Sequence, residues 1–200
     1  FFKNNNVQFK INYYVKMPIQ NHLIVTNAYG FINLSTLEGS SKITCEYGGI
    51  SIENLKNDDN VIQLEYCNNS KIQNIHNAKI TSDYSNLSIG SVDNLTLNAD
   101  YGHTVIDAVG GLNFRADYGD LKINNANVIV GQNDYLNLSI GKINKKLNLN
   151  CDYGTLKINK VDPNFEWIEI NAEYVNLDIK LDANPNFSFD IQNDYGDIKF

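Results

Sequence analysis

The chain has very little arginine, proline, methionine or tryptophan, and it contains no long apolar run. Arg115 is the single arginine, and the formal net charge is −7. Nucleic-acid binding takes most of its affinity from clustered lysine and arginine, so this composition argues against a nucleic-acid partner. No apolar run approaches the roughly 20 residues of a membrane-spanning helix, so the sequence predicts no transmembrane segment.

Cysteine is also scarce, and its three copies show no CxxC spacing. Cys45 and Cys151 stand two residues before a tyrosine, where equivalent segments carry Ala99 and Ala116. This position therefore takes a small side chain, and we expect both cysteines to be buried thiols of the core. With so few prolines there is little material for a linker, so residues 1–200 are interpreted as a single domain.

What the chain does contain is a repeat centred on tyrosine. The repeat tyrosines, separated by 17 to 21 residues, are Tyr29, Tyr47, Tyr66, Tyr84, Tyr101, Tyr118, Tyr135, Tyr153, Tyr174 and Tyr195. Nine of these ten follow Asp or Glu, and only Tyr29 follows an alanine. Aligned segments read LTLNADYGHTVI, LNFRADYGDLKI and LNLNCDYGTLKI. Self-similarity at such a period indicates a solenoid of stacked coils.

Each repeat contains two short runs of alternating apolar residues around a turn. Leu95 and Leu97 alternate before one tyrosine, and Leu121 and Ile123 alternate after another. Period-two alternation is typical of strands with one buried face. A third apolar residue, eight positions beyond the tyrosine, is expected to fill the next corner; it is Leu37, Leu55, Val92, Val109, Ala126, Ile143 or Val161.

These patterns predict an all-β, single-chain parallel β-solenoid, a right-handed β-helix of about ten coils of 17–21 residues. Left-handed triangular helices use a six-residue repeat, which does not fit these intervals. Residues 29–200 are interpreted as the coils, and residues 1–28 as capping strands because Phe9, Ile11, Tyr13 and Val15 alternate. The segments VDPNFEW and LDANPNF are expected to widen one corner in two coils.

The order of these motifs resembles a known family. The chain has a first segment that ends Val-Lys-Met-Pro at residues 15–18, then Asn-x-Tyr-Gly-x-Ile-x-Leu at 27–34, then repeated Tyr-Gly-x-Leu-x-Ile coils. This order is similar to that of the DUF4097 family of adhesin-like proteins, and more loosely to that of the DUF2807 head domains, both common in Bacteroidetes. The resemblance implies a right-handed β-helix exported to the periplasm or cell surface. The chain departs from it at Tyr66-Cys67-Asn68-Asn69, where the glycine is lost and one residue is added.

The opening residues FFKNNN lack the charged segment and apolar stretch of a secretory signal. We therefore expect that any export signal lies outside this sequence. The last coil ends DIKF, and its strand edge is expected to be open. Since an open edge can pair with another chain, end-to-end association between copies is predicted.

The acid before each tyrosine is the first candidate for chemistry. Stacking would align these acids along one edge, and the candidate cation or ligand positions are Asp83, Asp100, Asp117, Asp134 and Asp152. Calcium is one possible occupant, although each coil offers one recurrent acid and calcium needs six or more oxygens. The alternative, which we favour, is local capping of the turn, in which the carboxylate accepts the backbone N–H two residues on.

No catalytic or metal site emerges from the other candidates. His22, His76 and His103 are far apart in the sequence, form no Ser-His-Asp or metal triad, and are predicted to lie on the surface. The parity of the tyrosines with Leu95 and Leu97 predicts rings that face the core or a corner and stack there. The predicted outward positions, none of them aromatic, are Thr96, Asn98, Asn113, Arg115, Asn148, Asn150, Glu169 and Asn171. Phe165 and Trp167, in a widened corner, are the aromatic residues most open to exposure, and for Trp167 we favour a packed position.

Two functions are consistent with these observations. The first is a non-enzymatic cell-surface or periplasmic β-helix, an adhesin or assembly module that binds a surface protein or a polysaccharide and needs no cofactor. The second is a polysaccharide lyase or hydrolase of the pectinase type, which would need acids together with lysine or arginine in one groove. Fold alone does not decide between them.

Overall fold

The computed structural model describes residues 11–181, 190–195 and 198–199. Within these ranges all regular secondary structure is β, and every pairing between strands is parallel. The strands form a β-solenoid of about nine turns, which confirms the predicted fold class. Its right-handed sense stays a prediction. The described residues contain no helix long and apolar enough to cross a membrane.

The strands follow one another through the coils. In chain order they are β1 (Leu23–Ala28), β2 (Phe31–Leu37), β3 (Ser41–Glu46), β4 (Gly49–Leu55), β5 (Asn60–Glu65), β6 (Ser70–Asp83), β7 (Asn86–Ile158), β8 (Trp167–Ile179), β9 (Asp190–Asp194) and β10 (Ile198–Lys199). Strand β7 extends over 73 residues because its ladder pairing continues around successive corners.

Equivalent residues of successive coils pair with one another. Ile62 pairs with Ile80, and Ile80 pairs with Leu97. In-register parallel pairing places one repeat position in one column along the solenoid axis, so a residue type that recurs in the sequence becomes a line on the surface or in the core. The sequence repeat therefore decides which side chains are neighbours.

The core consists of the inward columns of these strands. Its aliphatic side chains include the predicted corner residues, all at most 4% exposed: Leu37, Leu55, Val92, Val109, Ala126, Ile143 and Val161. Cys45, Cys67 and Cys151 are also buried, as predicted for the first and third. Stacking is what buries these residues, since a single coil has no second layer to cover its apolar side.

The repeat tyrosines stack as predicted, but the prediction that they face the core is wrong. Consecutive rings lie 4.8–5.2 Å apart between centroids. The interior rings are 40–50% exposed. Each of the ten has a positive φ between 48° and 60°. A left-handed residue interrupts the alternation of the strand, so its side chain leaves the corner outward. We call this column the tyrosine ladder.

The predicted capping strand is also wrong over its described part. Residues 11–22 form no strand, and Tyr13 and Val15 are more than 80% exposed; Phe9 lies outside the described residues. An alternating run becomes a strand only where another strand pairs with it, and β1 pairs only with β3 in the described part of the chain. Residues 23–28 are β1, which belongs to the stack itself and is its first strand in the described part of the chain. The carbonyl of Ile19 accepts the N–H groups of Glu38 and Gly39 and so holds the preceding turn on the second coil.

The first widened corner is confirmed, because residues 162–166 form a loop between two paired strands. Residues 182–187 of the second widened corner lie outside the described residues. The predicted open edge of the last coil falls on residues 195–200, of which 196, 197 and 200 are likewise outside them. End-to-end association stays a prediction.

Candidate functional site

A shallow groove lies on the outer face of the strands that precede the tyrosines. It has two adjoining parts with volumes of about 530 and 310 Å³, which share Thr96, Asn113 and Val130. Outward residues of six consecutive coils line it. We call it the front groove, and its lining comes from residues 58–61, 77–79, 94–98, 111–115, 128, 130–132, 148 and 150.

Most side chains that reach the front groove from outward positions are polar and uncharged. They come from positions three, five and seven residues before each tyrosine, which strand alternation directs away from the core. Val130, at 44% exposure, is the main apolar exception. Several of the residues predicted to face outward, including Thr96, Asn98 and Asn113, lie in this lining. The groove is thus a pattern of amide and hydroxyl groups on a rigid sheet.

Asparagine on other columns of the solenoid is hydrogen-bonded between coils. Asn74 Nδ2 donates to Asn54 Oδ1 at 2.9 Å, and Asn54 Nδ2 donates to Thr36 Oγ1 at 3.0 Å. Asn94 and Asn77 form a similar pair at one rim of the groove. Such ladders satisfy the donors and acceptors of amides that could not bond within their own coil.

The central amides of the front groove behave differently. Within the described part of the chain, the side chains of Asn98, Asn113 and Gln132 make no hydrogen bond to protein. Asn98 and Asn113 have no amide neighbour in their columns, and Gln132 makes no hydrogen bond to Asn150 of the next coil, whose Oδ1 accepts from Asn171. Each amide presents two N–H donors and a carbonyl acceptor to whatever enters the groove. The sequence gives each of these residues, but it does not show which amides remain free.

Two cations line the front groove, and both are available to a ligand. Lys79 makes no ion pair with any described residue, and the one ion pair of Arg115 among the described residues is with Asp117, with Nε 3.6 Å from Oδ2; its charge also offsets part of the rise that burial causes in the pKa of Asp134. The terminal nitrogens of Arg115 therefore stay open. Acidic side chains enter the lining at one end, where Asp58 and Asp59 lie.

Asp58 belongs to an ion-paired group that the sequence reading missed. His76 Nε2 lies 3.1 Å from Asp58 Oδ1, and His76 Nδ1 lies 2.5 Å from Asp93 Oδ2. All three residues stand eight positions before their tyrosines, so an alignment of the coils contains the signal. Both ring nitrogens of His76 are engaged by carboxylates, which leaves no ring nitrogen facing the groove as a base. All three histidines are exposed, as predicted.

The predicted acidic positions form a column at the corner, beside the tyrosine ladder and outside the front groove. Asp83 pairs with Asp100 in the ladder, and the backbone N–H of Asp117 donates to Asp100 Oδ1 at 3.2 Å. Asp134 donates in the same way to Asp117 Oδ1, at 3.1 Å. The capping we favoured within one turn is therefore replaced, at Asp100 and Asp117, by capping of the next coil.

Burial, and after it repulsion between neighbouring carboxylates, raises the pKa of two acids in this column. Burial, together with the neighbouring charge of Asp100, raises the pKa of Asp83. Burial and the charges of Asp117 and Asp152 raise the pKa of Asp134. Among the residues that the structure describes, no three His, Cys, Asp or Glu side chains converge on a position that could hold a metal ion.

The aromatic candidates of the widened corner do not reach the groove. Trp167 is 38% exposed at the start of β8, so the packed position that we favoured for it is wrong, whereas Phe165 packs partly against the core. The tyrosine ladder does not offer ring faces either, because each interior ring is covered by its two neighbours at about 5 Å. Stacking of a flat ligand on aromatic faces is thus not a property of the front groove.

Comparisons of this chain with protein-family models, with curated proteins and with solved structures gave no match in any of the three searches.

Proposed function

We propose that this protein is a non-enzymatic binding module of the cell surface or periplasm, which acts in adhesion or assembly through the front groove. The observation that supports it best is the set of free amides on Asn98, Asn113 and Gln132. Polar groups that protein does not satisfy, placed in a concave and rigid surface, are suited to an extended ligand that supplies the missing hydrogen bonds. Export, and the resemblance to DUF4097 proteins, are part of this proposal.

A polysaccharide lyase or hydrolase is the weaker alternative. Such chemistry needs an acid and a base, or a base and a charge stabiliser, around one reacting bond. In the front groove Lys79 and Arg115 belong to strands two coils apart, and the histidine at the rim has both ring nitrogens engaged. The acids of the corner column are not part of the groove lining, and Asp117, the one that contacts a groove cation, is ion-paired with Arg115. The arrangement therefore favours binding of a polysaccharide over its cleavage.

A groove-filling substitution tests the proposal. Val130→Trp places an indole in the centre of the groove, and Val105→Trp places one on an outward position of another face of the same solenoid. We expect Val130→Trp, but not Val105→Trp, to abolish binding to isolated cell envelopes, measured by co-sedimentation. Equal binding by both variants would reject the groove as the binding surface, and turnover of an envelope polysaccharide would reject the non-enzymatic role.

A further inference from the structure

The cations on the face that carries the front groove recur in every second coil. They are Lys42, Lys79, Arg115 and Lys146, in the coils of Tyr47, Tyr84, Tyr118 and Tyr153. The coils between them place uncharged or acidic residues at the same outward positions. Thr96 and Asn98 lie between Lys79 and Arg115, and Val130 and Gln132 lie between Arg115 and Lys146. The face therefore alternates between charged and mainly neutral coils.

The solenoid converts this alternation into a fixed spacing. The coil of Lys79 is separated from the coil of Arg115 by two steps of the tyrosine ladder, each of 4.9 Å. Two sugar residues of an extended, linear polysaccharide advance by a similar length. Lys79 stands five positions before its tyrosine and Arg115 three, so the two cations are also offset by two residues along the strands. A chain that crosses the face at an angle to the solenoid axis would thus present every second residue to a cation and the residue between to amides.

We propose that the front groove binds a linear acidic polysaccharide with a two-residue repeat, in which one sugar of each pair carries a carboxylate or sulfate. The inference rests on the binding role proposed above and specifies its ligand class. The anionic sugars lie at Lys79 and Arg115, and the neutral sugar between them lies against Thr96 and Asn98. The planar guanidinium of Arg115 suits bidentate contact with an anionic group.

The surrounding groups support this assignment although the whole chain is acidic. Lys42 and Lys79 have no ion-pair partner among the described residues, and Arg115 has one long contact through Nε. Lys146 is paired with Glu166 at 2.9 Å, so the alternating pattern is weaker at that end. At the other end, Asp58 is already engaged by His76 and by Asn77 Nδ2. The nine acids that precede tyrosines lie on the corner outside the groove lining, and the one that contacts a groove cation is Asp117, which an anionic sugar at Arg115 would have to displace or share.

The free amides complete the recognition of the neutral sugar. A sugar hydroxyl both donates and accepts, and Asn98 and Asn113 offer both functions with no competing partner in the described protein. Hydrogen bonds of this kind need no aromatic platform, which agrees with the lack of exposed aromatic side chains in the lining. The predicted mode of binding is lateral hydrogen bonding with periodic charge contacts.

Three hexasaccharides of equal length test the proposal by calorimetric titration. One alternates glucuronate with N-acetylglucosamine, one is a neutral glucan, and one is a polyuronate with a charge on every residue. We expect the alternating chain to bind at least tenfold more tightly than the neutral one, with affinity that falls as salt is added. We also expect the alternating chain to bind at least as tightly as the polyuronate, because the additional charges of the polyuronate meet no cation.

Charge-removing variants assign the contacts. Arg115→Gln and Lys79→Gln should each weaken binding of the alternating chain by about fivefold, as for partly exposed ion pairs. Lys122→Gln, an equal charge change at an exposed position after the tyrosine, should leave binding unchanged. Arg115→Lys should restore part of the loss.

The outcomes separate this inference from the proposed binding role. If the neutral chain binds as tightly as the alternating chain and Val130→Trp abolishes both, the groove is the site but the charged ligand class is wrong. If the polyuronate binds much more tightly, the alternating register is wrong. If none of the three binds while Val130→Trp still abolishes envelope binding, the assignment of a polysaccharide ligand fails, but the groove remains the proposed binding surface.

Discussion

Gly131 leaves open the space that the ring of Phe114 occupies in the preceding coil: a Cβ on Gly131 would lie 2.1 Å from Phe114 Cε1. Both residues stand four positions before their tyrosines, a column that elsewhere holds Ile62, Ile80 and Leu97. A large and a small side chain therefore share the volume that two aliphatic residues fill in the other coils. The pair also lies beneath the second part of the front groove.

This relationship predicts strong coupling between the two positions. Gly131→Leu alone should destabilise the fold by about 1–3 kcal/mol through overpacking, and Phe114→Leu alone by a similar amount through a cavity. The double variant restores the common pattern of the column, so its loss should be clearly smaller than the sum of the two. Urea unfolding of the four proteins gives the coupling energy, and additive losses would contradict the shared volume.

The left-handed conformation of the tyrosine ladder predicts an unusual order of substitutions at Tyr118, where φ is 56°. Alanine and glycine both lose the stacking contacts, but only alanine keeps the cost of roughly 1–2 kcal/mol for a left-handed L-residue. Tyr118→Gly should therefore be about 1 kcal/mol more stable than Tyr118→Ala, and Tyr118→Phe should resemble the parent because it keeps the ring.

Thr96 provides the matched control for that experiment, since it lies in a regular part of β7 and is absent from the positive-φ residues. Here Thr96→Gly should be less stable than Thr96→Ala by about 0.5–1 kcal/mol, the usual order in a strand. The same order at both positions, measured by urea unfolding, would contradict the conformational explanation.

The sequence contained most of the fold because each repeat position becomes a column. The recurrence of tyrosine and the alternation around Leu95 and Leu97 predicted parallel coils, and the residues eight positions beyond the tyrosine are buried as expected. Periodicity alone failed at the tyrosine itself. It assumes that alternation continues through every residue, whereas a positive φ at Tyr101 and its equivalents changes the direction of the side chain.

The candidate site was less accessible to sequence reasoning. The sequence identified Asn98 and Asn113 as outward residues, but their freedom depends on which neighbours they have in adjacent coils. In the sequence Asn74 and Asn54 are also outward asparagines, yet their side chains form a hydrogen bond with each other. The link between His76, Asp58 and Asp93 was present in the alignment of coils, but it was hidden when only the spacing of histidines was considered.

The acid column predicts that mild acidification stabilises the solenoid. The pKa of Asp134 is raised in the fold by burial and by Asp117, so the folded state binds a proton more readily than the unfolded chain. Stability from this group therefore rises as the pH falls from neutral towards the ordinary carboxyl pKa of 3.8. Asp83 contributes with the same sign. Asp134→Asn should reduce this gain in a series of urea unfolding experiments.

Asp162 supplies a control of opposite sign. Its contact with Lys142, at 2.7 Å, lowers the pKa of the carboxyl. The stability that it contributes is present above 3.8 and is lost as the pH falls through the lowered folded value. Asp162→Asn should thus lower stability at neutral pH and leave the acid-side gain intact. A parent protein that loses stability steadily from neutral pH to the ordinary carboxyl pKa would contradict the effect assigned to the column.

Buried thiols give the last prediction, which concerns the integrity of the stack. Burial and the charge of Asp152 raise the pKa of Cys151 to about 12, and burial, with Cys67 beside it, raises that of Cys45 to about 11. Because the thiolate is the reactive species, the native protein should not react with a thiol reagent at neutral pH except through unfolding. All three cysteines should label once denaturant is added. Thr96→Cys, on the exposed face of the same solenoid, should add one thiol that labels at once. Rapid labelling of the parent chain would mean that the coils separate readily in solution, since no buried thiol can be reached while its neighbouring coils remain paired.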